Sequence, residues 1–286
     1  MANEITTTTV DDLVYSAEIL ASAVLPHFYG NLVASALIRS ADISGFPSKA
    51  KDFPITPGVA ASSVAEGVDL TNTAFATTKT TVTVGEVGIM FTITDLLSVS
   101  EVVNEAFYAT EGGKALAVKL NSDVLALSAG FANNTGATGV NLTEANIIDG
   151  LVTLAAAGVP PPYRGVLSPR QWADLVGDIG TTIVSGQGAH AREQTNDLAV
   201  PSTGGLGPLY GVEWYTSHLV PTANAGADHS GMIVNPEYAI GHVSKWDVRA
   251  EIERDSSLRA REVVLTACYG VGELLDAAGL QVLSDA

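Results

Sequence analysis

Between Phe53 and Thr94 the chain carries a long threonine- and valine-rich stretch that leads straight into a helix-forming segment, and few folds accept such a stretch. Its far half reads Phe75-Ala-Thr-Thr-Lys-Thr-Thr-Val-Thr-Val-Gly-Glu-Val-Gly-Ile-Met-Phe-Thr-Ile-Thr94. Valine, isoleucine and threonine alternate there as in a strand that hides one face and wets the other. The stretch has few large side chains from which to build a core of its own, and an isolated two-stranded ribbon is marginal in water. Something must cover it, and the simplest cover is a neighbouring copy of the same chain. That points to an assembly subunit rather than a self-contained enzyme.

Composition agrees with a covered surface. The 286 residues suffice for one large domain or two joined ones with a hydrophobic core. Hydrophobic residues make up 47% and charged residues only 16%, against the roughly 25% usual in soluble proteins. The net charge of −17 comes from 14 basic and 31 acidic residues, with no run of clustered Lys and Arg. Phosphate binding draws its affinity from such clusters, so tight direct binding of nucleic acid is not expected. No apolar run approaches the length of a membrane span, so no membrane partner is expected. The N-terminus, Met1-Ala-Asn-Glu-Ile-Thr, has neither a basic nor an apolar signal region. Cys268 is the sole cysteine, in Leu265-Thr-Ala-Cys-Tyr269, and reads as a buried small hydrophobe.

The pattern along the chain is α+β. Residues 1–52 read as an arm, with a polar Thr6–Thr9 run and a short amphipathic helix around Leu32, Val33, Ala36 and Leu37. After the extended stretch a helix is predicted from Asp95–Ser100 to about Asn133, with a break at Gly112-Gly113. Leu116, Leu120, Val124, Leu127 and Phe131 form a single stripe on it. Thr143 is placed to cap a helix bearing Ile147, Leu151 and Leu154, which stops at Gly158. Gly165-Val-Leu167 reads as a strand, and Ser168-Pro-Arg-Gln171 as a capping box opening a second helix. Residues 177–207 are glycine-rich and aperiodic and read as a long loop. Gly211–Thr216 and Gly231–Val234 read as core strands. Val248, Ala250 and Ile252 alternate with Arg249, Glu251 and Glu253, and a turn at Asp255-Ser-Ser257 joins them to a second alternating run, Arg259–Tyr269. This is a long antiparallel hairpin with one polar face.

Chemistry-bearing constellations fail on inspection. There is no Gly-x-Ser-x-Gly elbow and no His-Glu-x-x-His. Gly180-Thr-Thr-Ile-Val-Ser-Gly186 lacks the lysine of a phosphate loop, and Gly186-Gln-Gly188 follows no strand. His27, His190, His218, His229 and His242 show no ligand spacing, and Asp228-His229 reads as part of a solvated loop. Trp172, Trp214 and Trp246 are scattered, as core or interface anchors are. No catalytic, cofactor-binding or metal residue is assigned.

Taken in order, arm, extended loop, long helix, α/β region and closing hairpin resemble the major capsid protein of tailed bacteriophages, the Hong Kong 97-like fold. Ala65-Glu-Gly67, Phe75, the Val82–Thr94 strand ending in Ile93-Thr-Asp95, Asn121–Gly130, Gly165–Pro169, Gly211–Trp214 and the 247–269 hairpin carry the likeness. The resemblance implies an arm at 1–49, an extended loop at 50–94 lying across the adjacent subunit, and a peripheral domain with a spine helix at 95–140. It further implies an axial domain at 141–235 and a return to the peripheral domain at 236–286. Such subunits form pentamers and hexamers that enclose double-stranded DNA in an icosahedral shell assembled in the host cytoplasm. Partners implied are other copies of the chain, a separate scaffold protein, a portal and a cement protein; no cofactor is implied. Lys79, alone in the middle of the loop, reads as a solvated lysine rather than a cross-linking one. Two alternatives remain open at this point. One is an encapsulin-type nanocompartment shell protein. The other is a hydrolase using 177–207 as a lid, with His190 or Glu193 as its reactive group.

Overall fold

The computed structural model describes residues 4–5, 33–56, 58–69, 72, 74, 76–100, 105–184 and 205–286. The arm's Thr6–Thr9 run, Leu32, Phe75, His27, His190 and Glu193 lie outside them.

Two sheets organise the chain. The first combines β1 (Glu4–Ile5), β2 (Arg39–Asp42), β5 (Gly85–Thr94), β12 (Ile240–Asp255) and β13 (Ala260–Glu273) in the order β1-β5-β13-β12-β2. Residues 240–273 are the long hairpin, and β5 pairs antiparallel with β13 from Gly85↔Tyr269 to Thr94↔Ala260. Val263, Leu265, Ile93, Leu97 and Leu116 form the core under this sheet, with Ile89, Phe91 and Tyr108 packed around it. The second half of the extended stretch is therefore built into the sheet of the chain's own C-terminal hairpin. Sequence alternation reveals that a strand has a hidden face, but not which distant segment hides it.

Only the first part of the extended region stands apart. β3 (Ala50–Ile55) and β4 (Thr78–Thr83) make a two-stranded ribbon in register from Ala50↔Thr83 to Ile55↔Thr78. Its foot is anchored by Phe53 and Val82 against Ile43, Val243 and Leu274.

The long helix is α3 (Glu105–Ala126), preceded by α2 (Asp95–Ser100) and closed by a 3-10 turn at Leu127–Gly130; a four-residue α1 (Ala34–Leu37) precedes β2. The break expected at Gly112-Gly113 does not occur: α3 runs through both glycines. Gly112 is the point where helix and sheet close, since a Cβ there would lie 2.8 Å from Leu265 and 3.0 Å from Phe91. Glycine costs helix propensity here and allows close approach in return. The expected stripe is present, with Leu116, Val124 and Phe131 buried. Asn121 interrupts it: its side chain is buried, and Oδ1 accepts from the N–H groups of Val33 (2.9 Å) and Ala34 (2.8 Å), tying the start of α1 to α3.

The second sheet orders β6 (Asn134–Gly136), β14 (Gly279–Asp285), β11 (Asp228–Val234), β7 (Tyr163–Leu167), β9 (Val212–Thr216) and β8 (Gly205–Leu209), with β10 (Thr222–Ala223) on β11. Helices α4 (Glu144–Ala156) and α5 (Pro169–Val184) pack on it through Ile147, Leu154, Trp172, Leu175 and Ile179 around Trp214. Both capping boxes form: Thr143 with Asn146, and Ser168 with Gln171 at 3.1 Å in each direction. The loop expected at 177–207 is shorter at both ends, because α5 continues to Val184 and β8 begins at Gly205. Aperiodic sequence hid the last turns of this helix, where Ile179 still packs on the core. Asp228 opens β11 and is buried, contrary to the solvated-loop reading; its carboxylate accepts from Gly139 N–H at 2.7 Å and from the Asn224 amide.

Candidate functional site

Among the described residues no group of His, Cys, Asp and Glu is arranged to hold a metal ion. The groups with displaced titration are scattered over separate elements. Burial lowers the pKa of His242, whose Nδ1 lies 3.2 Å from Ser40 Oγ on β2. Burial raises that of Tyr269, which donates to Asp123 on α3 at 3.0 Å. Burial raises Tyr210 as well, where its hydroxyl meets Glu144 at the start of α4, and burial beside Asp276 raises Glu273 at the end of β13. A hollow of about 390 Å³ opens at the ribbon foot, lined by Ile43, Phe46, Ser48, Ala50, Lys51 and Asp52. Of the displaced groups Asp52 lines it, and its carboxyl is held in the charged form by Lys79 and Thr81 rather than set against a second acid or base of the kind catalysis uses.

The functional geometry lies in surfaces instead. From the ribbon foot, β3 and β4 carry an irregular connection whose described residues are exposed, including Val59, Val64 and Val68. On the stem Lys79 is not merely solvated: its ammonium sits 2.6 Å from Asp52, diagonally across the ribbon, and holds the Asp52 carboxyl below its usual range with help from Thr81 opposite it. Lys245 on β12 locks the loop entering the ribbon by donating to the carbonyls of Phe46 and Ser48. The ribbon is thus fixed at its base through buried Phe53 and Val82 and exposed in the described part of its connection, the arrangement the sequence pattern required of a segment with an external partner.

The far end of the β12–β13 hairpin is the second such surface. Sequence alternation placed Val248 and Ile252 on a hidden face, yet Ile252 is 58% exposed although its register partner Val263 is fully buried. The core under β13 and β5 includes no residue of β12, which leaves Ile252 at the hairpin end open. Leu96 and Val99 on α2 are exposed at the same end, where Arg254 holds Asp95 through two hydrogen bonds of 3.1 and 2.8 Å. Val140, Ile148 and Val152 leave a further apolar patch on and beside α4. So many uncovered apolar side chains on elements with buried inner faces identify contact surfaces rather than a pocket. Sequence periodicity pointed to the ribbon. It missed the hairpin end, because alternation there looks like that of a covered strand.

A family model described as phage capsid protein matches residues 76–283. No curated protein matches the chain by sequence. Among solved structures, the capsid of cyanophage P-SCSP1u superposes with a TM-score of 0.70 at 18% identity, over 97% of this chain and 95% of that one. A structure from Mycobacterium phage Che8 superposes with a TM-score of 0.72 at 17% identity, over 91% and 93%. The acidic stable capsid of Helicobacter pylori bacteriophage KHP30 covers both chains fully, with a TM-score of 0.70 at 12% identity.

Proposed function

The chain belongs to the phage capsid protein family and is a structural, shell-forming subunit of the virion, and from that premise we propose that it builds the head as pentamers and hexamers tiling an icosahedral shell around double-stranded DNA. Neither the nanocompartment nor the hydrolase alternative is favoured by the match. The observation that carries the proposal is the ribbon of β3 and β4, anchored at its foot and uncovered beyond it; in the proposed shell it lies across an adjacent subunit. Head-to-tail contacts of that kind close into rings when the rotation between copies closes.

The role is non-catalytic, and the genome is held by confinement without sequence-specific binding, in keeping with a net charge of −17. A separate scaffold protein, a portal and a cement protein complete the head, and assembly takes place in the host cytoplasm. The division into arm (1–49), extended loop (50–94), peripheral domain (95–140 and 236–286) and axial domain (141–235) describes how the subunit sits in the shell. Within it β5 belongs mechanically to the peripheral sheet, so removing 55–90 would unfold that sheet.

The informative deletion is narrower. Replacing residues 57–76 with a short glycine turn keeps β3, β4 and β5. The shortened subunit is expected to retain the wild-type circular dichroism spectrum and unfolding midpoint, and to form no closed shells by electron microscopy. Normal shells from it would refute the ribbon's role.

A further inference from the structure

At the foot of the ribbon a rigid loop holds an aromatic side chain out in solvent. Phe46 is 63% exposed, yet its backbone is fixed on both sides. Ile43 N–H donates to the Ser244 carbonyl at 2.9 Å, Phe46 N–H to Ile43 at 3.1 Å and Ser48 N–H to Phe46 at 2.8 Å. Lys245 donates to the carbonyls of Phe46 and Ser48 as well. Phe46 lines the hollow of about 390 Å³ together with buried Ile43. An exposed aromatic on a preordered loop is the kind of side chain that anchors an interface, because covering it costs little conformational entropy. The hollow also holds an unmatched cation. Lys51 lines it, and among the described residues its side chain makes no ion pair or hydrogen bond. The carboxylates that flank the lining residues in the chain are already engaged, Asp42 by Ser44 and Asp52 by Lys79 and Thr81.

The other end of the ribbon is the complement of this hollow. Between Thr56 and Thr77 the chain has no lysine or arginine, and its only charges are Glu66 and Asp69. Residues 58–69 are exposed throughout. Midway along the connection, Ala65–Val68 form a turn, with Val68 N–H donating to the Ala65 carbonyl at 3.2 Å and Gly67 at φ 82°. Glu66 stands at its corner, and exposed Val64 and Val68 flank it in sequence. Among the described residues Glu66 and Asp69 make no ion pair or hydrogen bond through their side chains. The turn does not fill its own hollow, because the six register pairs of the stem carry it roughly 20 Å from the foot. We propose that the hollow is the docking site for the ribbon turn of a second copy of this chain, Val64 and Val68 covering Phe46 and Glu66 meeting Lys51. The occupant is another copy because one ribbon carries both halves of the match, acidic and apolar at its tip, basic and aromatic at its foot. Each copy therefore offers one half and receives the other, a heterologous contact that repeats and closes where the rotation closes. The proposal rests on the shell-forming reading above and names the surface that receives the ribbon.

The test is a charge exchange in the full-length chain, read as the yield of closed shells by electron microscopy and the melting temperature of the unassembled subunit. Glu66→Lys and Lys51→Glu each set like charges against one another across the contact, so each should lower the yield about tenfold. Their combination restores opposite charges and should recover most of the wild-type yield. Phe46→Ser should lower the yield about tenfold as well, through loss of the aromatic anchor. Glu66 lies on an exposed turn, so Glu66→Lys should melt with wild type; a lowered melting temperature would place its contact inside the subunit and overturn the proposal. Single variants that assemble as well as wild type overturn the docking and leave the shell reading standing. Single variants that fail without recovery in the double variant overturn the pairing of Glu66 with Lys51. A wild-type chain that forms no shells overturns the shell reading, and the docking proposal with it.

Discussion

His242 shows how much a single position decides. It lies on β12 where β2 joins the sheet, its Nδ1 is 3.2 Å from Ser40 Oγ, and its ring centroid is 6.0 Å from that of Tyr269. Burial disfavours the imidazolium and lowers the pKa from 6.5, with Asp247 acting the other way. A group whose folded pKa is depressed contributes stability that is complete above its unfolded pKa and is lost as pH falls toward the folded value. His242 should therefore hold the β2–β12 junction most firmly at and above neutral pH and weaken it on acidification. Unfolding midpoints measured from about pH 7.5 down to pH 5 should fall more steeply for wild type than for His242→Gln. Parallel curves would remove His242 from that role. Nothing in the sequence separated His242 from the other four histidines, since its partial burial depends on β2, about 200 residues away, as well as on β13.

At the scale of elements, local signals were read well and long-range pairing was not. Ser168-Pro-Arg-Gln171 and Thr143 announced their helices because capping is settled within four residues. Alternation from Val82 to Thr94 announced strands, but the split at Val84 and the pairing of β5 with β13 depend on tertiary neighbours. Gly112 was read as a breaker because propensity alone cannot see that Leu265 and Phe91 need the space. Gly270 plays the same part where β13 passes the ribbon: a Cβ there would lie 2.2 Å from the Thr83 carbonyl oxygen. Gly270→Ala should push the exit of β4 away from the sheet, at a cost of roughly 1–3 kcal/mol as an overpacked site. Chemical denaturation should record the loss, and limited proteolysis should cut faster near residues 83–85. Unchanged stability and cleavage would show that the ribbon foot is not held there.

For the whole molecule, the order of parts carried the meaning. Each pattern in the sequence was loose, yet their order, extended stretch, long helix, α/β region and hairpin, pointed to the fold that the chain shares with solved phage capsids. The candidate surfaces were half legible. The ribbon was visible because it has no core of its own, whereas the hollow at its foot appears only once β3 and the loop before it are in place. A chain with 16% charged residues and a net charge of −17 leaves its exposed apolar residues on the ribbon connection, the hairpin end and α4. A structural subunit needs those surfaces and needs no pocket. Negative-stain electron microscopy of the purified chain tests this most directly. Closed shells of uniform diameter are the predicted result; a chain that stays monomeric or dimeric at every concentration, alone and with the other head proteins of its phage, would contradict it.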